Sequence, residues 1–354
     1  MRILDLEIKN FRNIEEQKIV PDSRMNVICG ENAQGKTNLI EAIWLFTGAK
    51  SFRGVKDSEF VFFGKNKALL KMNFIGEQIE KNAEIVIDEK KSIFLNEKKL
   101  KKSSEIAGSF NAIIFSPLDL RLITDGPSIR RRFLDLAIGQ LYPSYIEILR
   151  NYLRAIGHRN KTLKDFKFNN SLSSLLDVFE KEIAENGRKI IKFRKRYIEI
   201  LNEFLPNLYN GLSSGKEILE TEYICNSKSE KLEENLKEAR KEDMYSGVTS
   251  IGPHRDDLEF KINGISARSF ASQGQKRSIA LCLKLAEAEV LKKNVGEWPV
   301  ILLDDVMSEL DLARQNFVLN HIEGMQSFIS CCDPSNVKQL KNGKIFRMKE
   351  GRIS

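Results

Sequence analysis

The chain has 354 residues, 42% of them apolar and 30% charged. This composition supports a buried core and excludes a wholly disordered chain, and the length allows two domains or one with an insertion. Lys and Arg outnumber Asp and Glu by 57 to 49, a net charge of +8, which favours an acidic partner such as nucleic acid or an anionic surface.

Alternation over residues 3–8 predicts a strand, not a signal peptide, and no apolar run is long enough to span a bilayer. A cytoplasmic protein without a membrane partner is expected. Met25–Cys29 is a short apolar run, and residues 38–46 have helical spacing. Residues 69–74, 83–87 and 92–95 predict strands of a meander, with Lys98, Lys99, Lys101 and Lys102 forming a basic turn. Residues 111–115 predict a buried strand.

From residue 128 to 210 apolar residues recur at helical spacing in two long segments, separated by the polar stretch 160–170. They suit an antiparallel helical pair. Residues 217–225 then predict a strand and 230–242 a charged helix. Residues 258–262 and 264–267 suggest a hairpin. Residues 276–292 predict a helix, Val300–Leu303 a buried strand, 311–322 a helix and 327–330 a last buried strand. The expected organisation is 1–125, an α/β part; 126–246, a mainly helical inserted lobe; and 247–354, the remainder of the α/β body.

Gly30-Glu31-Asn32-Ala33-Gln34-Gly35-Lys36-Thr37 fits G-x-x-x-x-G-K-[ST], the Walker A pattern, between a predicted strand and a predicted helix. Glycines let the backbone wrap phosphate oxygens, and the helix start adds positive potential. Lys36 would reach the outer phosphates of ATP, and the Thr37 hydroxyl would ligate Mg²⁺. Val300–Leu303 ends in Asp304-Asp305, as a Walker B strand does. Asp304 would serve the metal and Asp305 would polarise the attacking water. Ser272-Gln273-Gly274-Gln275 opens the helix before that strand, where an ABC-type signature belongs. Ser272, Gly274 and Gln275 can offer a hydroxyl, amides and a side-chain amide to an anion, or simply cap the helix. Ser308-Glu309-Leu310-Asp311 occupies the place of a D-loop, where Asp311 would link two nucleotide sites.

With these motifs the sequence resembles the RecF family of SMC/ABC-type ATPases along nearly its whole length. Asn10-Phe11-Arg12-Asn13 resembles the family's opening strand and turn, and Arg130-Arg131-Arg132-Phe133-Leu134-Asp135 and Gly252-Pro253-His254-Arg255-Asp256-Asp257-Leu258 are the more specific blocks. The resemblance implies an ABC-type P-loop ATPase head with a helical inserted lobe. It also implies a DNA-binding protein of replication, recombination, repair and the SOS response. Such a protein would form an ATP-dependent head-to-tail homodimer on double-stranded DNA and single/double-strand junctions. It would work with RecO and RecR, and indirectly with RecA, and Arg12 would approach the nucleotide.

The chain departs from the ABC pattern in three places. Ser116-Pro117-Leu118-Asp119 stands near the usual Q-loop glutamine, Asp305 replaces the usual glutamate, and Ser330-Cys331-Cys332-Asp333 stands where a switch histidine is expected. The shorter carboxylate suits slow hydrolysis. Two alternatives remain at this point, a nucleotide-sensing scaffold without turnover and a transporter ATPase subunit.

Several weaker features are open to two readings. His158, His254 and His321 show no metal spacing. His254 either holds its turn or lies near nucleotide or DNA. The clusters Arg130–Arg132 and Lys189, Lys192, Arg194, Lys195, Arg196 are either solvated faces or phosphate contacts. The five cysteines, with no C-x-x-C, exclude a disulfide framework and read as small buried hydrophobes.

Overall fold

Period-two alternation builds the first strand, β1 (Arg2–Phe11), which pairs antiparallel with β2 (Ile14–Ile19). The structure, a computed structural model, describes residues 1–166, 173–213, 215, 217–332 and 343–353. β3 (Met25–Cys29) leaves this hairpin and is followed by α1 (Lys36–Trp44). β4 (Ala68–Gly76), β5 (Ile79–Ile87), β6 (Lys91–Leu95) and β7 (Lys98–Lys99) return to β1 in the order β2-β1-β4-β5-β6-β7. Ile8 faces Leu70, Leu70 faces Ile85 and Ile85 faces Ile93, one buried apolar row across four strands. Lys98 and Lys99, expected in a turn, pair with Phe94 and Leu95 instead.

The chain forms two compact units. The first comprises Met1–Leu120, Asn207–Lys216 and Arg277–Ser354; the second comprises Arg121–Pro206 and Glu217–Lys276. After β8 (Ala112–Phe115) come α2 (Arg121–Thr124), α3 (Pro127–Leu141), α4 (Pro143–Phe166) and α5 (Ser173–Ser213), the last with Pro206 inside it. Tyr145 meets Arg194, Arg154 meets Glu182 and Arg159 meets Glu180, partners that retreat along α5 as the chain advances along α4. The two helices are therefore antiparallel, as the spacing predicts.

β9 (Leu219–Ile224), α6 (Leu232–Glu238), α7 (Arg240–Ser246), β10 (Asp257–Ile262), β11 (Ile265–Ser266) and α8 (Ala267–Phe270) complete the second unit. β9 pairs antiparallel with β10, so residues 247–276 join the helical unit and not the α/β body expected for 247–354. Six ladder pairs between β9 and β10 explain the shifted division.

In this unit the two most family-specific blocks clasp each other. Arg130 reaches both Asp257 oxygens at 2.6 and 2.9 Å, and Arg131 donates to the Asp256 carbonyl at 2.7 Å. Arg194 binds the Pro253 carbonyl at 2.7 Å and Asp135 at 2.8 Å. Arg130 and Arg194 are buried, so these two residues are structural and do not line a phosphate backbone. His254 is bonded through both ring nitrogens, to Tyr152 Oη at 2.6 Å and the Thr249 carbonyl at 2.9 Å. Burial pushes its pKa down to about 4, so at neutral pH it is an uncharged prop for this turn.

α9 (Gln273–Val295) leads to β12 (Val300–Leu303), α10 (Leu312–His321), β13 (Ser327–Cys331), β14 (Gly343–Lys349) and β15 (Arg352–Ile353). The second six-stranded sheet has the order β15-β14-β3-β13-β12-β8, with all neighbours parallel except β14 and β15. β8, β12 and β13 are buried along their whole length, as parallel strands covered on both faces must be. β14 was not legible in the sequence. Its GKIFRMK pattern is mostly exposed, yet main-chain bonds place it in register beside β3.

Candidate nucleotide site

β3 ends at Cys29 and the Gly30–Gly35 loop runs into α1. Lys36 is 3% exposed, and its Nζ donates to the Gly30 carbonyl at 2.8 Å and the Glu31 carbonyl at 3.0 Å. The loop thus holds a buried ammonium, stabilised by its own carbonyls, inside a ring of backbone. A Cβ added at Gly30 would lie 2.2 Å from the Met348 carbonyl oxygen of β14. We therefore expect Gly30→Ala to displace the loop and lower nucleotide affinity by an order of magnitude or more, measured by calorimetric titration.

Thr37 Oγ1 donates to Asp304 Oδ1 at 2.9 Å. Ser330, at the end of β13, donates to the same oxygen at 3.0 Å, and its Oγ accepts the Asp305 amide at 2.8 Å. β13 lies between β3 and β12, so this serine is the bridge that fixes both aspartates relative to the loop. Burial, aided by the charge of Asp305, raises the Asp304 pKa above the usual carboxylate range. A hydroxyl and a carboxylate converging beside a phosphate loop are hard oxygen donors that fit Mg²⁺. Among the described residues no group of three or more His, Cys, Asp or Glu forms a metal cage. Phosphate and water oxygens would have to complete the shell.

Arg12 lies over the Phe60 ring, 5.1 Å from its centroid, and binds the Glu59 carbonyl at 2.9 Å and Glu41 at 3.5 Å. The next residue, Asn13, donates to the Gln34 carbonyl at 3.1 Å, so this corner of β1 abuts the loop. Arg53 was missed by sequence reading. It binds Asn38 Oδ1 at 3.2 Å, lies 3.8 Å from Glu41, and its charge bears on Asp304. Nothing in the Ser51-Phe52-Arg53-Gly54 string marks it; only the return of the chain toward α1 does.

Ser272, Gly274 and Gln275 belong to the second unit. Ser272 N–H donates to Gln275 Oε1 at 2.7 Å and Gln275 N–H to Ser272 Oγ at 3.2 Å, a reciprocal capping box at the start of α9. Glu217 accepts from Gln275 Nε2 at 2.7 Å. Ser272 is exposed and, as an acceptor in that box, keeps its hydroxyl proton for donation. Asp311 caps α10, accepting the Arg314 amide at 2.9 Å, and Arg277 donates to the Glu309 carbonyl at 3.0 Å.

At the Q-loop position Asp119 accepts the Ser116 amide at 2.7 Å. Burial lifts its pKa from 3.8 to about 6, against the opposing charge of Lys284. A raised carboxylate pKa means that the folded state holds this proton more tightly than the unfolded state. Its contribution is favourable at low pH and is lost as pH rises from about 4 through about 6. The difference in urea midpoint between wild type and Asp119→Asn should therefore grow in the variant's favour from pH 4.5 to 7. A flat difference would sink this assignment.

Cys29, Cys282 and Cys331 are buried, as expected, but Cys332 is exposed, with Sγ 3.8 Å from Lys36 Nζ and 3.2 Å from Asn32 Oδ1. The end of β13 brings it to the loop, so it does not serve as core. Asp333 lies outside the described residues.

A phosphate loop after β3, an acidic end on β12 and one strand between them define the head of an ABC-type P-loop ATPase. The RecF/RecN/SMC N terminal domain family model matches residues 2–354. The DNA replication and repair protein RecF of Clostridium acetobutylicum is 40% identical over 363 residues, covering 100% of this chain and 99% of that protein. Its counterpart in Agathobacter rectalis is 38% identical over 359 residues, with the same coverage. A solved structure of the recombination mediator protein RecF-ATP in the RecFOR pathway is 38% identical. It has a TM-score of 0.93 and covers 100% of this chain and 97% of that one. An Smc head domain from Pyrococcus furiosus, 19% identical with a TM-score of 0.57, shares the fold. The chain belongs to the RecF family of DNA replication and repair proteins. Among the described residues no helix is long and apolar enough to cross a membrane.

Proposed function

We propose that this chain is an ATP-dependent DNA clamp of recombinational repair, closed by ATP binding and opened by slow hydrolysis. The observation that carries the reading is the Thr37–Asp304–Ser330–Asp305 chain of hydrogen bonds beside Lys36. Gly30, Glu31, Asn32, Ala33, Gln34 and Gly35 wrap the phosphates, and Lys36 shifts from loop carbonyls to phosphate oxygens. Thr37 and Asp304 hold Mg²⁺, which, when bound, neutralises phosphate charge. Asp305 orients and deprotonates the attacking water. Arg12 and Arg53 add positive charge at the rim of the loop.

Ser272, Gly274 and Gln275 act on the nucleotide of a second copy in a head-to-tail dimer, and Asp311 couples the two sites. A nucleotide shared by two copies binds the closed dimer more tightly, so its hydrolysis biases opening. The DNA partner is duplex DNA and single/double-strand junctions, with RecO and RecR as co-workers and RecA loading as the outcome, in the cytoplasm.

Sedimentation with Mg²⁺ and ATP, with ADP and with neither tests the clamp. ATP alone should shift monomer to dimer. An unchanged mass in ATP, with DNA present, would remove the shared-nucleotide mechanism. ATP-dependent dimers with no turnover would leave a sensing scaffold.

On α5, Lys189, Lys192, Lys195 and Arg196 are exposed. Lys189, Lys192 and Arg196 recur on one helix face. We expect Lys189→Glu with Lys192→Glu to weaken duplex binding uniformly across sequences. The salt slope of log K should fall by about two, since each phosphate contact contributes about 0.9. Unchanged slopes in fluorescence anisotropy titrations would place the DNA elsewhere.

A further inference from the structure

A turn outside every motif grips the phosphate loop from behind. β14 and β15 are joined by Glu350-Gly351, both in the left-handed region at φ 49° and 77°. Gly351 N–H donates to the Gln34 carbonyl at 2.9 Å, and Glu350 N–H donates to Gln34 Oε1 at 2.5 Å. Asn13 Nδ2 reaches the same Gln34 carbonyl at 3.1 Å, while Asn13 Oδ1 accepts from Asn38 of α1 at 2.8 Å. Gln34, in the middle of the loop, is thus held at its main-chain oxygen by two donors and at its side chain by a third.

The consequence follows from the planar trans peptide. The carbonyl of Gln34 and the N–H of Gly35 point in opposite directions across one rigid unit. The two donors, the Gly351 N–H of the turn and Asn13 Nδ2, draw the carbonyl toward themselves and therefore aim the Gly35 N–H away from them. Lys36 Nζ sits inside the loop, among the Gly30 and Glu31 carbonyls. Main-chain N–H groups directed there serve a phosphate only if their peptides are held beforehand.

We infer that the Glu350–Gly351 turn and Asn13 are positioning elements for nucleotide phosphates, acting through the Gln34–Gly35 peptide. The inference deepens the reading of this loop as an ATP site and rests on it. Gly351 has no tolerance for a side chain: a Cβ there would lie 2.0 Å from the Asn13 carbonyl oxygen, on a backbone with positive φ. Gly351→Ala must therefore push the turn away from the loop. Asn13→Ala removes one donor to Gln34 and leaves the turn in place.

The experiment uses the full chain with Mg²⁺ and ATP, titrated calorimetrically, together with steady-state hydrolysis and melting without nucleotide. Wild type should bind ATP. Each variant should bind at least about tenfold more weakly, the scale of one or two lost hydrogen bonds to a charged ligand site. KM should rise with kcat nearly constant, because the turn acts on the loop and not on Asp305. Asn13→Gln, which keeps the amide, should recover part of the affinity. If Gly351→Ala fails to fold, Asn13→Ala and its rescue decide alone. Variants that fold and bind ATP within twofold of wild type overturn the inference. Wild type that fails to bind ATP overturns the reading of the site itself.

Discussion

Asp305→Asn should slow ATP turnover by at least about 100-fold, the lower range for removing a general base, while leaving ATP affinity near its original value. Asp305 sits one residue past Asp304, with its amide fixed by Ser330 Oγ and its side chain half-buried after the end of β12. Asparagine keeps the size and the backbone anchor but cannot take a proton. The loss belongs in kcat and not in binding. Dimers formed with Mg²⁺ and ATP should then persist in sedimentation runs over times in which wild type reverts to monomer. Equal turnover in variant and wild type would remove Asp305 from the chemistry. Turnover lost together with ATP binding would assign it to the phosphate site.

Arg159→Ala should destabilise the helical unit by about 3–5 kcal/mol, the range for breaking a buried ion pair from one side. Arg159, Glu180 and Asp243 are each 0% exposed. The guanidinium binds Glu180 at 3.0 and 3.1 Å, Asp243 at 2.6 Å, Thr249 Oγ1 at 3.0 Å and the Leu236 carbonyl at 3.2 Å. Truncation leaves Glu180 with Arg240 but strips Asp243 of its cation. The main cost is therefore an uncompensated carboxylate tying α7 to α4. Arg159→Met with Asp243→Asn should recover much of the loss, since the unpaired charge goes with it. Trp44 and Trp298, the only two tryptophans, lie in the first unit. Far-UV circular dichroism should therefore lose helix at lower urea while tryptophan fluorescence stays near its wild-type midpoint. Coincident, unshifted transitions would show that the cluster contributes little.

Both predictions concern buried polar groups, and they differ in how visible those groups were in the sequence. Asp305 could be singled out because Val300–Leu303 is a four-residue apolar run and the acidic pair follows it at once. Arg159 could not. Its partners lie 21 and 84 positions away, and each of the three residues taken singly reads as a solvated helix face. The blocks Arg130–Asp135 and Gly252–Leu258 are intermediate. They were recognisable as family markers, but their purpose as a mutual clasp appeared only when Arg130 met Asp257 and Arg194 met Pro253. A solvated face or a phosphate contact are the readings that residue type alone allows for the first of them.

What the sequence by itself determined was local. A phosphate loop is eight consecutive residues, Gly30 to Thr37, whose glycines, lysine and threonine act through their own backbone and reach. Buried parallel strands announce themselves as unbroken apolar runs, and long amphipathic helices such as α5 by their period. The tertiary structure decided everything that depends on main-chain pairing or on long-range charge. β14 is charged and mostly exposed, so no side-chain pattern marks it, yet its carbonyls and amides pair with β3 and deliver Met348, Glu350 and Gly351 to the loop. Main-chain hydrogen bonds are the same for every residue but proline. A strand held mainly by them leaves little imprint on residue type, and only the folded chain reveals which loop it supports.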